Sequence, residues 1–481
     1  MNRISVITFF INLFIASSLL GQDKLTLDDI IQRAQEQSPF SKQAETRKEN
    51  GYWEYRLFKS NYNPQLRLTG NLPAYNKEIA AIEQNDGTIG FRAIRNTNSR
   101  VNLGLIQPIS LTGGSVSVNS SVNYFSNLDD ASFNAWNGTV YNVQLVQPLF
   151  AFNTLKWDKY IEPLRYEESK RSYVEEMESI SSQAVDRFFF YLGAQIDLQI
   201  ANFNLANNDT VYKIEQGRYN IGTTSKDRLL QVELQLLRSK QDVAQANLDL
   251  QTRSLQLRSF LGLNEDFGLE FVLPESIPQF EISMEKALES AAKNRSDYIA
   301  FERRKLEAER EVAQAKGQRF QADLLASFGA NNNAPDYSGI YINPDNQQRA
   351  NVQLNIPILD WGRNKSRIKT ALANKQLNDY VIAQDEIDFE QEVVTLVRQM
   401  EVLRLQVEIA KASDNVAQER YSVAQNRYLI GKIDITNLNI ALTEKDDAKR
   451  GYVNALRLFW KAYYDLRRLT LYDFANDQLL Y

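Results

Sequence analysis

Two segments of this 481-residue chain place polar, chemically able side chains at matching positions. One is Arg218-Tyr219-Asn220-Ile221-Gly222, followed by Asp227 and Arg228; the other is Arg427-Tyr428-Leu429-Ile430-Gly431, followed by Asp434 and Asn437. Phenols, carboxylates and guanidinium groups at such spacing can hold a contact closed through hydrogen bonds and ion pairs. They do not make a nucleophile. The chain has no histidine and no cysteine. That removes the usual zinc sites, Ser/His and Cys/His pairs, disulfides, and the thiol that takes up a lipid anchor. Two acids on a rigid cleft could still hydrolyse glycosides, but no pair among the 60 acidic residues stands out. The sequence therefore names no catalytic, metal or cofactor site. A net charge of −5 and a pI near 5.3 also argue against a nucleic-acid partner, which would need a basic face.

Plain structural roles account for part of the two segments. Each glycine stands where a long helix would end, the ordinary left-handed position after the cap. The tyrosines one turn earlier suit packing, and Asp227 and Asp434 suit the first turn of the next helix. A helix stop does not require the recurrence of Arg-Tyr before the glycine.

That recurrence belongs to a larger one. Residues 142–148 read NVQLVQP and residues 351–357 read NVQLNIP, at the displacement that relates the two tyrosines (428 − 219 = 209). Residues 25–37 and 282–294 also correspond, at 257 (282 − 25 = 257), so the first copy holds an insertion of 48 residues (257 − 209 = 48) between about Leu72 and Val140. The chain divides into a leader, 1–21, a first repeat, 22–281, and a second repeat, 282–481. The leader carries Arg3, an apolar run from Ile4 to Leu20 and small residues before Gln22, the layout of a cleaved secretory signal.

Proline is missing between Pro163 and Pro274 and again after Pro357, so helices can run long there. A helix is predicted from near Thr154 to Ile221, with a turn at Gly222 and a return of about 35 residues to Gly262. A single helix of similar length is predicted over 284–318. At 1.5 Å per residue the longest is on the order of 100 Å. From Leu229 to Leu257, and from Leu438 to Leu466, apolar or small residues recur in steps of three and four, the seam of antiparallel coiled-coil hairpins. Phe188, Phe189, Phe190 and Tyr191 read as inter-helix core.

The remaining segments alternate. Leu66, Leu68 and Gly70; Val101, Leu103 and Leu105; Val116, Val118 and Val122; Tyr141, Val143 and Leu145; Leu324, Ala326 and Phe328; and Val352, Leu354 and Ile356 are separated by polar residues. Alternation alone fits a soluble sheet with one wet face. Runs of about 8–11 residues also fit membrane strands, and no later stretch has the roughly 18 apolar residues of a membrane helix.

The ordered set of a secretion signal, two copies of helix–strand–strand–helix, a proline closing the second strand of each copy (Pro148, Pro357) and a Tyr-x-x-Gly turn in each hairpin resembles the TolC-like outer-membrane efflux family over about 25–472. The resemblance implies a mainly α fold with a transmembrane β-barrel segment completed by trimerisation. It implies a non-enzymatic exit duct of a tripartite efflux or type I secretion system, set in outer-membrane lipid and extending into the periplasm. A periplasmic adaptor protein and, through it, an inner-membrane pump would be the partners of the homotrimer. Tyr219, Gly222, Asp227, Arg228, Tyr428, Gly431, Asp434 and Asn437 would then lie at the closed periplasmic aperture and meet the adaptor, with Tyr428 matching a tyrosine that ties the aperture shut. The family often has an acid six residues after each glycine; this chain has Arg228 and Asn437 there, with Asp227 and Asp434 nearby. The insertion departs from two strands per copy and leaves open a barrel of about 12 or about 18 strands. A non-channel coiled-coil envelope scaffold is the alternative; it explains the helices but not the alternating strands.

Overall fold

The computed structural model describes residues 24–84, 86–128, 133–263, 270–274 and 276–481, and the expected leader lies outside the described residues. The first repeat runs β1 (Lys24–Leu25), α1 (Leu27–Gln37), α2 (Pro39–Ser60), β2 (Gln65–Asn71), β3 (Tyr75–Glu83), β4 (Ile89–Ile109), β5 (Gly114–Asn127), β6 (Phe133–Pro148), α3 (Thr154–Asn220), α4 (Lys226–Leu261) and β7 (Glu270–Phe271). The second runs α5 (Met284–Asn294), α6 (Ser296–Gly317), β8 (Gln321–Ala334), a 3-10 turn (Ser338–Tyr341), β9 (Asp345–Asn355), α7 (Arg363–Leu429), α8 (Ile435–Thr470), β10 (Tyr472–Asp473) and β11 (Gln478–Leu479).

Helix bounds repeat at the sequence displacements. α3 and α7 are each 67 residues long and start 209 apart (363 − 154 = 209), and α4 and α8 are each 36 residues long with the same offset (435 − 226 = 209). α1 and α5 start 257 apart (284 − 27 = 257), as do α2 and α6 (296 − 39 = 257). The single helix predicted over 284–318 is in fact two. Arg295 takes an extended conformation (φ −76°, ψ 148°) at the place where the first repeat has Ser38 before Pro39. No proline marks the second break; Arg171 donates to the Asn294 carbonyl (3.0 Å) and Tyr481 to its side chain (3.1 Å), contacts that only tertiary structure supplies.

Compactness cuts across the repeats. One unit combines the described residues up to Ala44 with Glu175–Met284 and Thr395–Leu480; the other combines Glu45–Val174 with Glu285–Val394. In the first unit Phe188, Phe189 and Tyr191 are buried with Leu257 and Phe459, and Phe188 stacks on Phe271 at 4.8 Å. Phe190 departs from the expected core. It turns outward beneath the guanidinium groups of Arg253 and Arg457, at 5.1 and 5.2 Å. The seam positions Val232, Leu236, Ser239, Leu438, Ala441 and Leu466 are buried, and the Lys445 ammonium lies between the rings of Phe203 and Tyr421 (4.3 and 4.7 Å).

The polar centre of this unit is Arg467. Its guanidinium pairs with both oxygens of the buried Glu178 (2.8 and 3.0 Å) and donates to Asp473 (2.9 Å), which also accepts from the Tyr463 hydroxyl (2.9 Å). One arginine thus ties α3 and α8 to the segment after α8.

The second unit contains the sheet. Its order is β2-β4-β5-β6-β8-β9, antiparallel throughout, with β3 continuing β2 along the far part of β4. The strands therefore form six lanes. Facing residues of antiparallel strands share a side of the sheet. The register aligns Leu66, Leu105, Val118, Val143 and Phe328 in one row, and Gly70, Val101, Val122 and Gly138 in another. Rows of opposite parity hold Arg67, Gly104, Asn119, Asn142 and Gly329, and Arg100, Asn123, Asn137 and Asn333. One face is apolar and the other polar.

Several strands exceed the expected 8–11 residues: β4 has 21, β6 has 16, and β5 and β8 have 14 each. The insertion supplies β3, most of β4, and β5. The turn between β4 and β5 is pinned to the start of α3, because Asn153 donates to the Ser110 carbonyl (2.8 Å) and accepts from the Lys156 amide (3.1 Å).

The duplication also reveals the slope of the strands. Gln65 and Gln321 open the equivalent strands on the same face (321 − 65 = 256), yet the row from Gln65 through Ile106, Ser117 and Gln144 reaches β8 at Ser327, six residues beyond (327 − 321 = 6). Six residues at about 3.3 Å against four strand spacings of about 4.8 Å is a tilt of about 45°. Closed barrels tilt by about 35–45°.

Replacing Arg467 with alanine strands Glu178 and Asp473 in the interior, and a loss of about 3–5 kcal/mol is expected. Denaturant melts of the helical signal should show it, with Arg467→Lys falling between because an ammonium cannot donate to both carboxylates in the same fork.

Candidate functional site

Each long helix ends in the same way. Gly222 (φ +75°) and Gly431 (φ +72°) adopt left-handed backbone, with amide-to-carbonyl bonds Gly222→Tyr219 (3.0 Å), Thr223→Arg218 (2.8 Å), Gly431→Tyr428 (2.9 Å) and Lys432→Arg427 (2.9 Å). This doubly bonded stop satisfies carbonyls a helix leaves orphaned, and a side chain at either glycine would strain it. The return helices start differently. Ser225 caps α4 by accepting from the Arg228 amide (3.3 Å), while Asp434 caps α8 by accepting from the Asn437 amide and side chain (both 2.9 Å). Asp227 lies exposed in the first turn of α4, where a negative charge suits the helix dipole.

The two tips meet through one tyrosine and not the other. Tyr428 is buried, and its hydroxyl donates to Glu215 Oε1 (3.0 Å); Arg218 donates to the same oxygen (2.6 Å) and sits 5.7 Å from the Tyr428 ring. Val211, Val232, Ile435 and Leu438 pack around this contact, and a cavity of about 180 Å³ beside it is lined by Thr224, Arg228 and Asp434 among others. Tyr219 is 40% exposed. The asymmetry is written in the duplication: the position equivalent to Glu215 is Ala424 (215 + 209 = 424), so the second copy offers no carboxylate of that kind. Tyr428 and Gly431 thus come together with Glu215 and Arg218, whereas Tyr219, Asp227 and Asn437 stay exposed at the surface. Composition and spacing do not single out Glu215; the one mark it carries is its place a turn before Tyr219 without a carboxylate counterpart at 424.

Burial works to raise the Glu215 carboxyl, but the hydrogen bonds from Arg218 and Tyr428 and the charge of Arg218 outweigh it and hold the group below its ordinary value. Burial, then the bond to Glu215, pushes the Tyr428 phenol up to about 12. At neutral pH the site is therefore a carboxylate held by a phenol and a guanidinium. Among the described residues no His/Cys/Asp/Glu cluster is arranged to hold a metal ion. The geometry can fasten two helix ends together; it offers no nucleophile.

The model of a protein family described as outer membrane efflux protein matches residues 30–263 and 288–470. The chain belongs to the outer membrane efflux protein family. It is thus an outer-membrane exit duct of efflux systems, extending into the periplasm, and a transport conduit by family. A search of curated proteins finds no match. Solved structures agree in fold. The outer membrane channel CmeC of Campylobacter jejuni superposes with a TM-score of 0.65 at 15% identity, over 92% of this chain and 85% of that one. The outer membrane protein VceC of Vibrio cholerae gives 0.65 at 14% identity, over 92% and 95%. The open MtrE channel of Neisseria gonorrhoeae gives 0.62 at 16%, over 95% and 90%.

Because Glu215 is lowered, its contribution to stability is complete above the ordinary glutamate range and lost only as pH falls below it. The protection of the amides at 215–232 and 424–440, taken against intrinsic exchange at each pH, should accordingly hold from neutral pH to that range and fall beneath it. Tyr428→Phe should loosen these amides by about 1 kcal/mol and Glu215→Ala by more, since it leaves two donors without their acceptor.

Proposed function

We propose that three copies of the chain close one barrel of eighteen strands and join their long helices into a periplasmic tunnel, forming the passive exit duct of a tripartite efflux or type I secretion system for small molecules or proteins. The observation that carries this reading is the six-lane sheet, apolar on one face and polar on the other, with free edges at β2 and β9. Open edges are not tolerated in lipid. Across six antiparallel lanes β9 runs opposite to β2, so β9 of one copy can continue the ladder into β2 of the next. The tilt of about 45° favours closure. Barrels of about 16–18 strands enclose an open aqueous channel, which moves control of flow away from the strands.

The tips are the natural place for that control. Tyr428, Glu215 and Arg218 hold the two hairpins of one chain together. Exposed Tyr219, Asp227, Arg228 and Asn437 are available to neighbouring copies and to a periplasmic adaptor, through which an inner-membrane pump would deliver cargo; Gly222, Gly431 and Asp434 shape the turns. With Arg228 and Asn437 where an acidic ring would stand, cation selectivity is expected to be weak.

Detergent-purified protein should be a trimer with low conductance in planar bilayers. A Glu215→Gln, Tyr428→Phe double variant should conduct clearly more with trimer stability unchanged, and conductance and adaptor binding that both stay the same would reduce the tips to helix caps. In membranes, cysteine placed at Asn119, Asn123, Gln144 or Gln353 should react with a water-soluble thiol reagent, while cysteine at Val118 or Leu354 should be protected. Equal labelling of the two sets contradicts the barrel.

A further inference from the structure

The inserted segment does more than widen the sheet. β4 pairs with β5 only as far as Asn96, and from Thr97 to Ile89 it continues against β3. The result is a two-stranded ribbon reaching past the ends of the neighbouring strands. Such a ribbon is marginal in water unless one face is covered. The register puts Tyr75, Ile79, Ile89 and Phe91 on one face, in line with Ser99 and Val101 on the apolar side of the sheet. That face is bare: Ile79 is 74% exposed and Phe91 78%.

A second bare group lies at the same end of the sheet and on the same face. The connection from β8 to β9 is seated by Ile340, fully buried over Gly138, where a Cβ would come within 2.6 Å of the Ile340 side chain. Gly138 shares its row with Val101 and Val122. Around this anchor Tyr337, Tyr341 and Ile342 remain exposed, Ile342 by 63%. In one chain the ribbon stands at the β2 edge and this connection at the β9 edge, so neither covers the other.

Strand slope brings them together between copies. Along the rows Asp345 is level with Thr69, through Asn331, Thr139, Ser121 and Asn102. The rows climb six residues over the four steps from β2 to β8, so six steps climb about nine, within the range of tilted barrels. Asp345 of one copy then lies beside roughly residues 78–80 of the next, and the connection before it runs along that copy's β3. Resting on the trimeric closure proposed above, we propose that the ribbon is an inter-subunit clasp. Its Ile79 and Phe91 pack on the 337–342 segment of the neighbouring copy and seal the β2–β9 seam at its far end.

The chain has no native cysteine, so an Ile79→Cys, Ile342→Cys variant reports the contact directly. Oxidation should give covalently linked subunits on non-reducing gels, and neither single variant should. Independently, an Ile79→Ser, Phe91→Ser variant should raise the rate of trimer dissociation on heating in detergent roughly tenfold or more, because it removes two large apolar contacts per seam, with bilayer conductance unchanged. Trimeric protein that forms no crosslink, or whose dissociation ignores the serine changes, overturns the clasp and leaves the trimer standing. Protein recovered only as monomer overturns the trimeric duct itself.

Discussion

A backbone amide or carbonyl in hydrocarbon must find its partner within protein, since an unpaired group there costs several kcal/mol. Much of this chain follows from that constraint. A sheet of six lanes with two free edges is unfinished in lipid until those edges find partners. The alternation of Leu, Val and Phe with Asn, Ser and Gln makes one face compatible with lipid and the other with water. The even number of lanes returns the chain to the side from which it entered. The 48-residue insertion respects this parity: it adds two lanes and a ribbon, and α3 still begins where its counterpart α7 does. An odd addition would have sent α3 to the wrong side of the sheet.

Duplication fixes the helices more tightly than the strands. The paired helices keep their lengths and offsets to the residue, because an insertion within a long packed helix rotates every later side chain by about 100° and destroys the seam. A hairpin added to a sheet leaves the existing ladders intact. The insertion therefore lies where it does least harm. At the tips the same duplication has been broken in one respect, since Glu215 has no carboxylate equivalent and only Tyr428 of the two tyrosines is fastened.

Strong and weak polar contacts are distributed unequally within the helical unit. Arg467 is locked to two buried carboxylates, an arrangement costly to break. At the tips a single carboxylate oxygen receives a phenol and a partly exposed guanidinium. Contacts of that kind contribute about 1 kcal/mol each, so the tips are fastened far less firmly than the Arg467 cluster.

The duplicated plan, the long helices, their glycine stops and the strand faces can all be read from the residues alone. Each of these rests on local periodicity or on a residue with a unique backbone requirement, so the reading needs no knowledge of neighbours. The residues alone do not locate the break at Arg295, the outward turn of Phe190, the six-lane order or the choice of Glu215 as the partner of Tyr428. Those depend on groups far apart in the chain: Arg171 and Tyr481 on Asn294, two arginines over one ring, β4 and β5 entering between β2 and β6, and a carboxylate 213 residues from its phenol. Side-chain type and spacing fix what a segment can do alone, whereas which distant segment completes its hydrogen bonds is decided only when the chain has packed.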